Sequence, residues 1–276
     1  TGVGNHHKVV DIQDGYILWS EDLKIPISPM LGVVGVSPAH TRWTNAWAAE
    51  HGGNFDIQEV IGEVVGSRRP DQVILVSGHH DCVMGNVGAN DNGSGVVFTL
   101  ELARLFAKAR PKRTIRFLSY GVEEKLSIGS YLYMRSLSPK QRKGCVLAIN
   151  ADGIGGHVGT DEIHVTGTRR LSKLVSDCWQ RAKHPATVHH GLMPYSDHFP
   201  FNICGVPSVV MFRPSMMDGG LWELHSANDN LDNVSPSVMV RTINSTARLM
   251  RQIVSSQRLP FDPVIEPELM REVRRA

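Results

Sequence analysis

The run Val73-Ile74-Leu75-Val76 has no polar residue on either face. A strand alternates its side chains between two sides, so a run apolar throughout must be covered on both. Thr114 to Leu118 reads as another buried strand, Val60 to Val65, Val146 to Ile149, Glu162 to Thr166 and Ser208 to Phe212 read as strands, and Arg68 to Asp71 reads as a turn. Between them lie helical patterns. Gly93 to Ala109 carries Phe98, Leu102, Leu105 and Ala109 at spacings of three and four, widened by Val97 and Phe106, with Glu101, Arg104 and Lys108 facing solvent and Pro111 just beyond. Gly129 to Arg135, Leu171 to Ala182 and Ser237 to Ser255 complete the helices. Strands alternating with helices argue an α/β fold with a largely parallel sheet.

Residues 1–56 read as an N-terminal extension or cap, with a short strand near Tyr16 to Trp19, a short helix over Trp43 to Glu50 and breaks at Pro26, Pro29 and Pro38; residues 57–276 read as the main α/β domain. The tail from Leu259 either packs over the surface or is loose. His6-His7 and His189-His190 read as exposed loop residues, and Lys108, Arg110, Lys112 and Arg113 as a solvated cluster at a turn.

The 276 residues include 29 Lys and Arg against 27 Asp and Glu. A net charge of +2 gives no reason to expect nucleic acid or an anionic membrane as partner. No apolar stretch is long enough to span a bilayer, and no signal segment is visible, so either a cytoplasmic or a secreted location is compatible with the chain. Four cysteines without CxxC spacing make no disulfide framework; Cys145 and Cys204 read as core thiols, and Cys82 follows a polar run that could line a site.

Ligand-type residues follow the carboxyl ends of the expected strands, where sites form in open α/β sheets. Gly78-His79-His80-Asp81 follows one strand and Gly121-Val122-Glu123-Glu124 another; Asn150-Ala151-Asp152 ends a third. Asp91 opens the first clear helix, and His225 comes late in the chain. Two imidazoles and three carboxylates, His79, His225, Asp91, Glu124 and Asp152, suit a pair of divalent ions, zinc by donor type, with cobalt or manganese also compatible. Two close cations need a shared anionic ligand. Such a pair holds a water or hydroxide, lowers its pKa and polarises a scissile carbonyl, while a further carboxylate moves the proton. Adjacent residues point in different directions, so Glu123 and Glu124 can divide those tasks. Asp81 is placed to fix the tautomer of His79. Ser196-Asp197-His198 cannot form a serine relay, because consecutive residues lack the geometry. Arg213 is either a substrate-carboxylate anchor or an ordinary salt bridge, and Trp222 is a candidate pocket wall.

Together these stretches, with Gly88-Ala89-Asn90-Asp91-Asn92-Gly93-Ser94-Gly95, Ser196-Asp197-His198-Phe199-Pro200-Phe201 and His225-Ser226-Ala227-Asn228-Asp229, resemble the M28 family of zinc aminopeptidases over roughly residues 57–256. The resemblance implies a three-layer α/β/α fold around a mixed, largely parallel sheet. It implies that His79 and Asp152 end-ligate one zinc and Glu124 and His225 the other, with Asp91 bridging. Glu123 is then the general base and later acid, Asp81 supports His79, and Ser196, Asp197 and His198 lie near the pocket. The implied activity is release of an N-terminal residue from a peptide. A carboxypeptidase or small-amide hydrolase on the same scaffold, or a binding protein that retains the fold, are the alternatives. Several family members place a Tyr before the last His; here that residue is Leu224. Pro29 to Val36 and His51 to Asp56 are faintly similar to acetamidase/formamidase segments.

Overall fold

The computed structural model describes residues 62–83, 86–214 and 224–276 with their side chains, and the backbone of 16–18, 24–26, 32–34, 60–61, 216–217 and 220–221. The expected helix over Trp43 to Glu50, His6-His7, the second acetamidase-like segment and Trp222 lie outside the described residues. The strands are β1 (Tyr16–Leu18), β2 (Lys24–Pro26), β3 (Gly32–Val34), β4 (Val60–Val64), β5 (Arg69–His79), β6 (Arg113–Tyr120), β7 (Cys145–Ala151), β8 (Asp161–Thr166), β9 (Ala186–His190), β10 (Ser208–Phe212), β11 (Met216–Met217) and β12 (Gly220–Leu221). The helices are α1 (Gly93–Phe106), α2 (Ile128–Ser136), α3 (Pro139–Gly144), α4 (Arg169–Arg181), α5 (Phe199–Ile203), α6 (Pro236–Ser255) and α7 (Pro267–Val273).

Eight strands form one sheet in the order β3-β4-β6-β5-β7-β10-β8-β9. The pairs β5–β6, β5–β7, β7–β10 and β8–β9 are parallel, and β3–β4, β4–β6 and β8–β10 antiparallel. The sheet is therefore mixed and mostly parallel, as expected. Alternation along β5 sends Ile74 and Val76 into one hydrophobic cluster and Leu75 into another. The first cluster gathers Phe98, Phe106, Trp179 and Leu249 from α1, α4 and α6, and the second gathers Tyr133 and Phe201 from α2 and α5. Helices thus cover both faces, giving three layers. Ile74, Leu75 and Val76 are each at most 1% exposed. Burying such a side chain contributes roughly 1.5–3 kcal/mol, so the central strand is also the main anchor of the core. Among the described residues no helix is long and apolar enough to cross a membrane.

Several local expectations need correction. The turn expected at Arg68 to Asp71 falls earlier, because the Arg69 N–H already bonds the Lys112 carbonyl at 2.6 Å and starts β5. α1 stops at Phe106, and the Ala109 N–H turns back onto the Phe106 carbonyl. Val97 is exposed, since it shares the helix face of Glu101, Arg104 and Lys108, at spacings of four, seven and eleven. Arg113 is not solvated but 1% exposed: its guanidinium donates to Gln72 Oε1 and to the carbonyls of Ile253 and Ser256. Cys145 is buried as expected, whereas Cys204 is exposed in the turn after α5. His189 and His190 belong to β9, which pairs with β8, not to a loop. The tail packs, with Phe261, Ile265, Leu269 and Val273 all buried.

Candidate metal centre

The carboxyl ends of β5, β6 and β7 meet at one edge of the sheet, and each delivers a ligand-type side chain there. His79 is the last residue of β5 and is fully buried. Beyond β6 the chain bends through Val122 at φ +59° into a single 3₁₀ turn, Glu123–Lys125. The carboxylate of Asp81 accepts the N–H groups of Glu123 at 3.0 Å and Glu124 at 3.3 Å. Its other oxygen-bearing contacts face His79: the ring Nδ1 lies 3.0 Å from the Asp81 carbonyl and 3.4 Å from a carboxylate oxygen. One residue therefore sets both the imidazole tautomer and the pose of the paired glutamates. Burial alone would lift the Asp81 pKa, but the His79 ring and the two N–H groups hold it below its usual range.

Asp91 is held just before α1. The carboxylate of Asp229 accepts the N–H of Asn90 at 2.5 Å and of Asp91 at 3.0 Å. Asn92 caps α1 by accepting the Gly95 N–H at 2.8 Å, and its amide donates to the Ala151 carbonyl at 2.9 Å. The end of β7, carrying Asp152, is thereby tied to the loop carrying Asp91. Helix and sheet approach closely here, since a Cβ on Gly78 would stand 2.7 Å from the Gly95 backbone.

Asp91 stands between the two histidines. Its Oδ1 is 3.2 Å from His79 Nε2 and its Oδ2 3.3 Å from His225 Nε2. Asp152 Oδ1 lies 3.2 Å from His79 Nε2, and Glu124 Oε2 3.1 Å from His225 Nε2. Two groups of three donors result, His79–Asp91–Asp152 and Asp91–Glu124–His225, sharing Asp91. Ligands on a tetrahedral zinc with bonds of about 2.0–2.2 Å stand about 3.3–3.5 Å apart, close to these separations. The second oxygen of Glu124 is buried with no hydrogen-bond partner. Among the described residues no Lys or Arg pairs with Asp91, Glu123, Glu124 or Asp152. Burial, then the charge of Asp152, pushes the Glu123 carboxyl up to about 8, and burial with Asp91 pushes Glu124 to about 7. Crowded, desolvated carboxylates of this kind fit a pair of divalent cations.

Glu123 lies beside this group rather than within it. Its Oε2 is 3.7 Å from His79 Nε2, and its Oε1 accepts the Ser127 hydroxyl at 3.1 Å. A cavity of about 790 Å³ opens over the centre. Its floor includes Asp91, Glu123, Glu124, Asp152 and His225, and its walls include Tyr131, Met193, Phe199, Ile203 and Leu224.

The remaining predicted residues take varied places. Ser196, at φ +72°, lines the cavity and accepts the Asn150 amide at 2.8 Å. Asp197 is fully buried, and burial with the nearby charge of Glu123 raises its pKa well above the carboxylate range. His198 donates from Nε2 to the Met193 carbonyl at 2.8 Å, fixing the loop of the cavity wall, and burial pushes its pKa down to about 4. Arg213 lines the cavity, but its guanidinium is directed to Asp161 at 2.9 Å and the Gly156 carbonyl at 2.8 Å. Cys82 bonds the Asn86 carbonyl at 3.5 Å and does not line the cavity. Asp229, Asn92 and Ser127 were given no part by the sequence reading. Asn92 carried a legible signal, a side chain able to cap the helix that follows it.

The sequence profile of peptidase family M28 matches residues 59–250. The chain belongs to that family. An aminopeptidase of Pseudomonas aeruginosa (strain UCBPP-PA14) is 40% identical over 99 residues, 35% of this chain and 18% of that protein. The aminopeptidase YwaD of Bacillus subtilis (strain 168) is 27% identical over 220 residues, 75% of this chain and 47% of that protein. Among solved structures, the aminopeptidase from Aneurinibacillus sp. strain AM-1 superposes with a TM-score of 0.63 at 28% identity, covering 76% of this chain and 50% of that one. The chain spans about half the length, or less, of these relatives.

Proposed function

We propose that the chain is the catalytic part of a two-metal exopeptidase that removes the N-terminal residue of a peptide. The observation that carries this reading is the Asp91 carboxylate, with one oxygen at His79 and the other at His225. His79, Asp91 and Asp152 would hold one zinc, and Asp91, Glu124 and His225 the other. When bound, the two ions supply Lewis acidity to the scissile carbonyl and lower the pKa of a water. Asp81 keeps the Nδ1 proton of His79 turned away from the centre, so that Nε2 faces it as a free donor. Glu123, oriented by Ser127, takes a proton from the attacking water and passes it to the departing amine.

The cavity favours a free amine over a free carboxylate as the recognised terminus. Its described lining carries Asp91, Glu123, Glu124, Asp152 and Asp229, and Arg213 as the sole Lys or Arg. Arg213 is already neutralised by Asp161. With Asp91, Glu124 and Asp152 taken up by the ions, an α-carboxylate still finds no unpaired Lys or Arg in the described lining, and an α-ammonium meets no repelling side-chain cation there. The apolar walls suit one hydrophobic side chain.

Turnover of aminoacyl anilides, compared with N-acetylated anilides and with simple amides, tests the reading. Acetylation should cost at least a hundredfold in kcat/KM, and chelation should abolish turnover of the free-amine substrate. Equal turnover with and without the blocking group would remove the aminopeptidase assignment.

A further inference from the structure

At the far edge of the sheet from β3, a second set of donors stands outside the centre described above. Glu162 and His164 are two residues apart on β8 and so share a face, while Ile163 and Val165 between and beyond them are fully buried in the core. In the parallel pairing of β8 with β9, His164 stands opposite His189. The two imidazoles stack, with ring centroids 4.5 Å apart and planes 21° from parallel. Glu162 Oε2 is 3.5 Å from His189 Nε2 and 3.9 Å from His164 Nε2. All three residues offer donor atoms within 4.8 Å of one another.

Hydrogen bonding does not account for this arrangement. The Nε2 atoms of His164 and His189 are both buried, and neither makes a hydrogen bond of good geometry even to the Glu162 carboxylate beside them. Leaving a buried polar atom unmet costs about 1–3 kcal/mol, so two on facing rings call for a common partner. The side chains are 19% exposed at His164, 42% at His189 and 36% at Glu162, so an ion can reach them from solvent. Donors on a tetrahedral zinc are about 3.4 Å apart, so the donors, now within 4.8 Å of one another, would draw together around an ion.

We propose that Glu162, His164 and His189 form a third metal site, independent of the paired centre, that takes one zinc or a similar late transition ion. Two imidazoles with one carboxylate favour Zn²⁺, Co²⁺, Ni²⁺ or Cu²⁺ over Mg²⁺ and Ca²⁺. Three protein donors leave a fourth position for water. His164 also stacks on Phe212, with centroids 5.4 Å apart, and Phe212 lines the large cavity. The site therefore lies just behind one wall of that cavity without sharing any ligand with the centre.

The site is tested by metal content and zinc titration of the whole chain, after chelator treatment and re-equilibration with Zn²⁺. H164A/H189A should bind one equivalent less than the parent, and E162Q should weaken the same equivalent at least tenfold. A D91N background isolates the site: one equivalent should persist in D91N and vanish when H164A/H189A is added. That comparison reads the third site even if the paired centre behaves otherwise than proposed. Should the double variant fail to fold, E162Q, at a half-exposed position, decides the matter. Unchanged zinc stoichiometry and affinity in E162Q and in D91N/H164A/H189A would overturn the proposal.

Discussion

Glu123 is the residue on which the chemistry turns. Glu123→Gln keeps the side-chain volume and the Ser127 contact while removing the proton acceptor. Metal content should stay at the parental level and kcat should fall about 10²–10⁴-fold, read by metal analysis beside steady-state kinetics. The same side chain sets a pH signature in the metal-free protein. Burial and Asp152 raise Glu123 from the ordinary 4.5 to about 8, and burial and Asp91 raise Glu124 to about 7. The folded chain then holds protons that the unfolded chain has released, so these groups lower stability as pH rises from about 4.5 through about 8. Thermal unfolding in chelator should show Tm dropping across that window by the equivalent of a few kcal/mol. E123Q/E124Q should reduce the slope, with Asp197 keeping part of it; an unchanged slope would dissociate Glu123 and Glu124 from it. His79, Glu124 and Asp152 were legible because each follows an apolar run ending at the same sheet edge, and Asp91 because it opens a clear helix. Asp229 was not, because its part is to accept two backbone N–H groups 138 and 139 residues away, and one sequence does not report such pairings.

The joint between α1 and β5 is the element that holds the centre's geometry. Gly78 faces Gly95 with no room for a methyl group, at 2.7 Å to the Gly95 carbonyl carbon. Gly78→Ala must push the start of α1 off the sheet, taking Asp91 away from His79. Overpacking of this kind costs roughly 1–3 kcal/mol. Denaturant unfolding should show that loss, and the variant should bind less zinc than the parent at equal concentration. The strand run and the helical stripes were readable from periodicity at this scale. β9 was not, because its Ala186–His190 stretch is only half-buried, with no clean alternation, and two histidines that look loop-like. The short helix α3 escaped for a different reason: it is defined by a capping box, Ser138 with Gln141, rather than by an apolar face.

Across the whole molecule, one buried cation ties layers together. Arg113 of β6 reaches the last carbonyls of α6 at Ile253 and Ser256 while holding Gln72 of β5. Arg113→Ala should destabilise by about 2–4 kcal/mol, since it leaves carbonyls unmet at the base of the sheet. Turnover per folded molecule should be unaffected, because the tie is at the opposite ends of the strands from the centre. The centre itself is lopsided. His79 is fully enclosed and stands on the central strand, whereas His225 is 50% exposed on a late loop. The two ions would accordingly differ in lability: the one at His225 exchanges with solvent first, and the one at His79 lingers. Timed chelation should yield a single-ion intermediate before the bare protein, and simultaneous release of both ions would contradict that order.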